Sequence, residues 1–180
     1  MARFEKPLHP VAAVLEEPRD RYLWLVGRFV LEMGDVDYLL ADLVGAVLGE
    51  QHPAARQAWA GSGDPLKAAL TTTAAEDPAL LQLLSEYDDL YQQRNYLVHG
   101  MYDGHRIHVG GEFLHGVTKL DRAKASFPDR TPFSRMEWTE SQLWQLVVRA
   151  EELGNHALGA IERRRKSSPV TDLPGDAEGS

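Results

Sequence analysis

Residues 78–101, PALLQLLSEYDDLYQQRNYLVHGM, decide how the rest of the chain is read. Asp77 before Pro78 supplies an N-cap acid and a first-turn proline, so a helix is expected to start there. Leu80, Leu84, Tyr87, Tyr91, Arg94, Val98 and Met101 then alternate steps of four and three, which draws one apolar stripe along the helix. Arg94 falls inside that stripe. A guanidinium taken from water without a partner is costly, so Arg94 must meet a carboxylate, a carbonyl, a phosphate or water in a cleft. Asn95 and His99 are four apart and neighbours at the stripe's edge. Arg94 and His99 are five apart and diverge by roughly 140°. One helix cannot close a site from these groups. Two such helices meeting across a twofold axis bring Arg and His from both copies around one cleft, so a homodimer with a composite site is expected.

The neighbouring segments supply the packing partners. Glu17-Pro18 opens a first long helix, in which Tyr22, Val26, Phe29, Met33, Val36, Leu40, Leu43 and Val47 share a face, with Gly49 as its stop. Gly27, Gly34 and Ala41 recur every seventh residue and are expected to let another backbone pack closely. Pro53 to Gly63 reads as a short helical turn, and Asp64-Pro65 starts another helix. Arg106 to Val109 and Glu112 to His115 flank Gly110-Gly111 and read as a small β-hairpin, an appendage outside the core. Residues 119–137, with Pro128 and Pro132, read as loop. Thr139 to Gln142 forms a capping box for a last long helix burying Leu143, Leu146, Val147, Ala150, Leu153, Ala157 and Ile161. The fold class expected is all-α, an up-and-down helical bundle with a β-hairpin appendage. Residues 1–166 form the domain and residues 167–180 a disordered acidic tail, after an irregular lead-in over residues 1–17.

Composition narrows the functional classes. The 180 residues are 43% hydrophobic, enough for one ordinary core. There is no cysteine, so disulfides and thiolate zinc sites are excluded and a reducing, cytoplasmic setting is expected. The N-terminus lacks an apolar signal core and charges interrupt every long apolar stretch, so no membrane partner is expected. A net charge of −8 gives no broad electrostatic grip on nucleic acid, so any phosphate contact must be local. The one dense basic run, Arg163-Arg164-Arg165-Lys166, ends the last helix, where a solvated end complementing the helix dipole is expected and a phosphate contact is the alternative.

Arg94-Asn95-Tyr96-Leu97-Val98-His99 resembles the Arg-Asn-x3-His form of the Arg-x4-6-His motif of the HEPN superfamily. The helical order extends the resemblance over roughly residues 19–165. It implies a helical bundle, often dimeric, and a metal-independent endoribonuclease of the kind found in toxin–antitoxin, phage-defence and RNA-processing systems. RNA is then the expected partner, alongside a second copy and an antitoxin protein. No cofactor is expected. On this resemblance His99 takes the catalytic histidine's place, Arg94 the arginine's, and Asn95 that of the polar residue that commonly follows. The alternative is a non-catalytic HEPN dimer that binds nucleotide, RNA or a protein.

Tyr91 and Tyr102 lie near the same helix edge as Asn95 and are candidates to stack on a base, although an aromatic on a packed helix more often belongs to the core. Glu32 and Asp35 are candidate partners for Arg94. His105, His108 and His115 cluster, but His105 and His108 point to opposite faces of a strand and no carboxylate pair completes a shell, so surface hairpin histidines are expected and no metal. Phosphate-loop, nucleophile-elbow and His-Glu-x-x-His signatures are missing.

Overall fold

Glu17 does precede a long helix. In the computed structural model, which describes residues 14–61, 63–74, 77–107, 112–120 and 133–167, α1 spans Pro18–Leu48. It is followed by α2 (Pro53–Trp59), α3 (Asp64–Ala74) and α4 (Pro78–His99). Three strands come next, β1 (Met101–Ile107), β2 (Phe113–Leu120) and β3 (Phe133–Thr139), and then α5 (Glu140–Ser167). The described part is mostly helical with a small antiparallel sheet.

Local chemistry sets the helix ends. Asp77 accepts a hydrogen bond from the Ala79 N–H at 3.0 Å, and His52 caps α2 through its Nδ1. The capping box forms as expected. The Thr139 N–H donates to Gln142 Oε1 at 2.8 Å and the Gln142 N–H to Thr139 Oγ1 at 3.1 Å. Gly49 ends α1 with φ 86°, its N–H bonded to the Gly45 carbonyl.

The core gathers between α1, α4 and α5, with α2 and α3 closing it through Ala55, Leu66 and Leu70. Arg28 pairs with Glu151 and Arg165 with Asp42, so α1 and α5 run parallel. Arg149 reaches Glu86 and Asp89 while Arg164 reaches Asp77, so α4 runs antiparallel to α5. All seven apolar positions expected on the last helix are buried. On α1 the buried stripe is Tyr22, Leu25, Phe29, Met33, Val36, Leu40 and Leu43, with Val26 and Val47 partly buried at its border. Close packing at Gly27 and Gly34 does not occur within the protomer. A Cβ at either position would meet nothing within 4 Å, whereas Ala41 is buried.

The sheet departs furthest from expectation. Its order is β1-β2-β3, with β2 paired to both neighbours over residues 113–120. The stretch read as loop therefore contains a strand. Its prolines precede Phe133, so neither removes a donor from the β2–β3 ladder. Nor is the sheet an appendage, because Val117 and Trp138 join the hydrophobic core and His115 is fully buried. The turn expected at Gly110-Gly111, the lead-in before residue 14 and the tail beyond residue 167 lie outside the described residues.

Gly100 makes the helix-to-strand junction. Its N–H closes α4 on the Tyr96 carbonyl at 2.9 Å, and a Cβ there would lie 2.2 Å from Val117 Cγ1. Only glycine lets β2 press against the end of α4. Met101 and Tyr102 consequently belong to β1 and do not continue the α4 stripe.

Candidate functional site

The buried residues of α4 are Leu80, Leu83, Tyr87, Leu90 and Leu97, which rotates the stripe slightly from its expected line and leaves Val98 exposed. Arg94 still lies on it, between Leu90 and Leu97. It is half-buried, and its Nε is sealed from solvent without a hydrogen-bond partner. Among the described residues no ion pair includes Arg94. Neither expected acid takes the role. Glu32 pairs with Arg28 one turn away on α1, and Asp35 stands exposed. Burial pushes the Glu32 carboxyl above its usual range, opposed by Arg28.

The other motif residues have different surroundings. His99 is the last residue of α4 and is exposed. Asn95 is half-buried, and its carbonyl faces Lys119 Nζ at 3.5 Å. Between them Tyr96 donates to the Ser134 carbonyl at 2.6 Å, meets Trp138 edge-on and lies under Lys119. Tyr96 therefore fastens this end of α4 to β3. Gln93, which the sequence did not single out, carries a second buried atom without a partner, Oε1.

The two tyrosines proposed to touch substrate are otherwise engaged. Tyr91 stacks on Tyr87 with centroids 5.8 Å apart, and its hydroxyl occupies the space a side chain at Gly63 would need. Tyr87 in turn donates to Asp37 at 2.6 Å and accepts from the Gly63 N–H. Tyr102 is on a strand, away from the helix edge where it was expected. Its ring lies 4.6 Å from Tyr22, and its hydroxyl is 3.1 Å from His105 Nδ1.

A second polar constellation escaped the sequence reading. His115, expected on the surface, is 0% exposed, and its Nε2 is 3.7 Å from Oε1 of Glu140, which is 2% exposed. Arg21 Nη1 approaches the other carboxylate oxygen at 3.6 Å. Both His115 nitrogens and Glu140 Oε1 are buried without hydrogen bonds. Tyr22 closes the cluster 5.3 Å from the His115 ring. Burial, with Tyr102 adding to it, pushes its hydroxyl up to about 12. Glu140 looks like a first-turn acid suited to the helix dipole. Its burial follows from β3 running straight into α5, a junction hidden while residues 119–137 read as loop.

Two cavities lie elsewhere. One, of about 870 Å³, is a groove between the first half of α4 and the second half of α5, floored by Leu80, Leu83 and Leu153 and bridged by Arg149–Glu86 and Arg164–Asp77. The other, of about 460 Å³, lies beside Trp59 and Arg165. Arg94, Asn95 and His99 line neither. Of the basic run, Arg164 and Arg165 turn back onto Asp77 and Asp42, which makes them helix fasteners. The structure thus brings Arg94 to a buried seam and leaves His99 at the surface beside it. It fixes a further histidine against a carboxylate elsewhere. Compared with protein-family models, curated proteins and solved structures, the chain matches none.

Proposed function

We propose that this chain is a homodimeric, metal-independent endoribonuclease of the HEPN type, working in the cytoplasm as the toxic half of a toxin–antitoxin pair or as an antiviral effector. The observation that carries the reading is the guanidinium of Arg94, set in the apolar seam of α4 with a buried N–H that the protomer leaves unpaired. A buried donor without a partner costs on the order of 1–3 kcal/mol. A phosphate supplies the missing acceptor and matches the planar fork of N–H groups.

The chemistry follows from the motif. The His99 imidazole takes the proton of a ribose 2′-hydroxyl, whose oxygen attacks the adjacent phosphorus while the bond to the 5′-oxygen breaks. An imidazolium returns a proton to that leaving oxygen, and Arg94 donates to the non-bridging oxygens as charge builds on them. The products are a 2′,3′-cyclic phosphate and a 5′-hydroxyl. Asn95 orients the imidazole or holds the phosphate, and an antitoxin protein would act by covering this end of α4.

The test is cleavage of varied RNAs in the presence of chelator by wild type, His99→Ala and Arg94→Ala. Loss of at least about 100-fold in each variant is expected for removal of a general acid–base or an oxyanion donor. Cleavage that persists in both removes the assignment. Growth arrest on expression, relieved by His99→Ala, would support the toxin reading.

A second reading, a non-catalytic dimer binding nucleotide, RNA or a protein, is favoured by one observation. His99 is exposed, and no hydrogen bond among the described residues fixes its ring. Wild type that binds RNA through Arg94 but never cleaves it would select this reading.

A further inference from the structure

The outward face of α1 is apolar and largely exposed, with Trp59 of α2 packed edge-on against Tyr38 at its far end. Leu23 is 53% exposed, Leu31 66% and Tyr38 62%, a scatter of large side chains that occupies one strip about 80° wide on the helix. Gly27 and Gly34 lie within the strip, each with open space where a side chain would stand. With Val30 at the strip's border, the six positions form a palindrome about the point between Val30 and Leu31. Reversing the helix about that point puts Gly27 opposite Gly34, Leu23 opposite Tyr38, and Val30 opposite Leu31. Small residues then meet small ones, and large meet large, which is the pattern a twofold antiparallel pairing of identical helices demands.

Charge follows the same operation. In an antiparallel pair related by a twofold, the same flank of each helix meets its counterpart. Arg28 and Asp35 share one flank of the strip, and the reversal brings each within about two residues of the other across the pair. Asp35 forms no ion pair within the protomer among the described residues, and Arg28, which pairs with Glu32 and Glu151, keeps 44% of its side chain exposed.

We infer that a second copy of this chain covers the strip, α1 packing antiparallel on α1 with Gly27 and Gly34 at the closest approach. This deepens the reading above, and rests on it only in treating two Arg94 side chains as halves of one site. The levels agree. Tyr87 on α4 bonds Asp37 on α1, and Tyr102 just past α4 meets Tyr22, so the two segments run antiparallel. Seven residues beyond Tyr87 is Arg94, and seven before Asp37 is Val30. The twofold between Val30 and Leu31 therefore passes at about the level of Arg94 in both copies.

The experiment measures oligomeric state by sedimentation of the full chain. Wild type is expected to be a dimer. Gly34→Leu should weaken it at least 100-fold while circular dichroism holds and the melting temperature is unchanged at a dilution where both proteins are monomers, because the added side chain meets nothing in the protomer. Asp35→Arg should weaken it about tenfold at low salt, less at high salt. The chain has no cysteine, so Leu31→Cys should give a covalent dimer on bis-maleimide treatment, and Leu158→Cys, an exposed control on α5, should not. A monomeric wild type, or a dimer indifferent to Gly34→Leu, overturns the inference. An intact Gly34→Leu dimer that cleaves RNA would sink the interface and spare the ribonuclease. A wild-type dimer lost in Gly34→Leu, with no cleavage of any RNA by wild type, would do the reverse.

Discussion

The end of α4 and the contact of β2 with α5 hold the same kind of flaw and differ in what can repair it. Arg94 is half-buried with a sealed, unpaired N–H, and His99 stands exposed at the end of the same helix. His115 and Glu140 keep three unpaired atoms in a chamber sealed by Tyr22 and Tyr102. On the reading proposed above, a phosphate approaching the half-buried Arg94 side chain repairs the first. Only a change within the protein reaches the second, where a nucleotide has no path. Unsatisfied polar atoms therefore mark a binding site only where access accompanies them. On the proposed reading the Arg94 end of α4 is the site of chemistry, and His115 serves structure.

The sharpest way to break the comparison is to mutate both histidines and measure both properties. His99→Ala should abolish RNA cleavage by about 100-fold or more and leave the melting midpoint within about 0.5 kcal/mol of wild type, since an exposed side chain without partners holds nothing together. The sealed cluster should respond the other way. Glu140→Ala removes the carboxylate facing Arg21 and His115 and should destabilise by about 3 kcal/mol in denaturant melts, with specific cleavage by the folded fraction unchanged. If His115 or Glu140 variants lost cleavage without losing stability, the roles assigned here would be exchanged.

An alkaline titration sharpens the structural side. The Tyr22 hydroxyl is held at about 12, above its ordinary 10.0. A proton bound more tightly in the folded state stabilises the fold fully below pH 10 and is lost as pH rises through 12. The span corresponds to at most about 3 kcal/mol. Wild type should lose stability over that range, and Tyr22→Phe should flatten that limb in pH-dependent melts. An unchanged slope would mean that the ring is not sealed against Tyr102 and His115.

The two regions also differ in how far the sequence disclosed them. The helix stripes were legible because α1, α4 and α5 are long enough for a 3.6-residue period to rise above noise, and each carries its cap in the sequence, as Asp77 and Thr139 show. Arg94 was legible for the same reason: only a regular stripe makes a cation in it conspicuous. The sheet was not. In β3, Arg135 and Glu137 form ion pairs with Asp103 and Arg106, so the strand reads as charged and irregular until its partners are known. The break after His99 hung on Gly100, whose need to be glycine comes from Val117, seventeen positions on. Burial of His115 and Glu140 depends on both features together, and no local pattern carried it.

The smallest effect tests the comparison at its root. If the protomer leaves the Arg94 guanidinium wanting an acceptor, then Arg94→Met, which keeps the aliphatic length and removes the polar head, should raise stability by about 1 kcal/mol while destroying cleavage. The gain has a physical source. Methionine fills the same seam between Leu90 and Leu97 and has no N–H to strand there. A partner acid hidden within the protomer would reverse the sign, because its removal would leave that carboxylate buried and alone. Guanidinium chloride melts of wild type and Arg94→Met, at a concentration low enough to hold both as monomers, read the sign directly. A destabilised variant would make Arg94 a fastener of the fold, in the same class as Arg149 and Arg164.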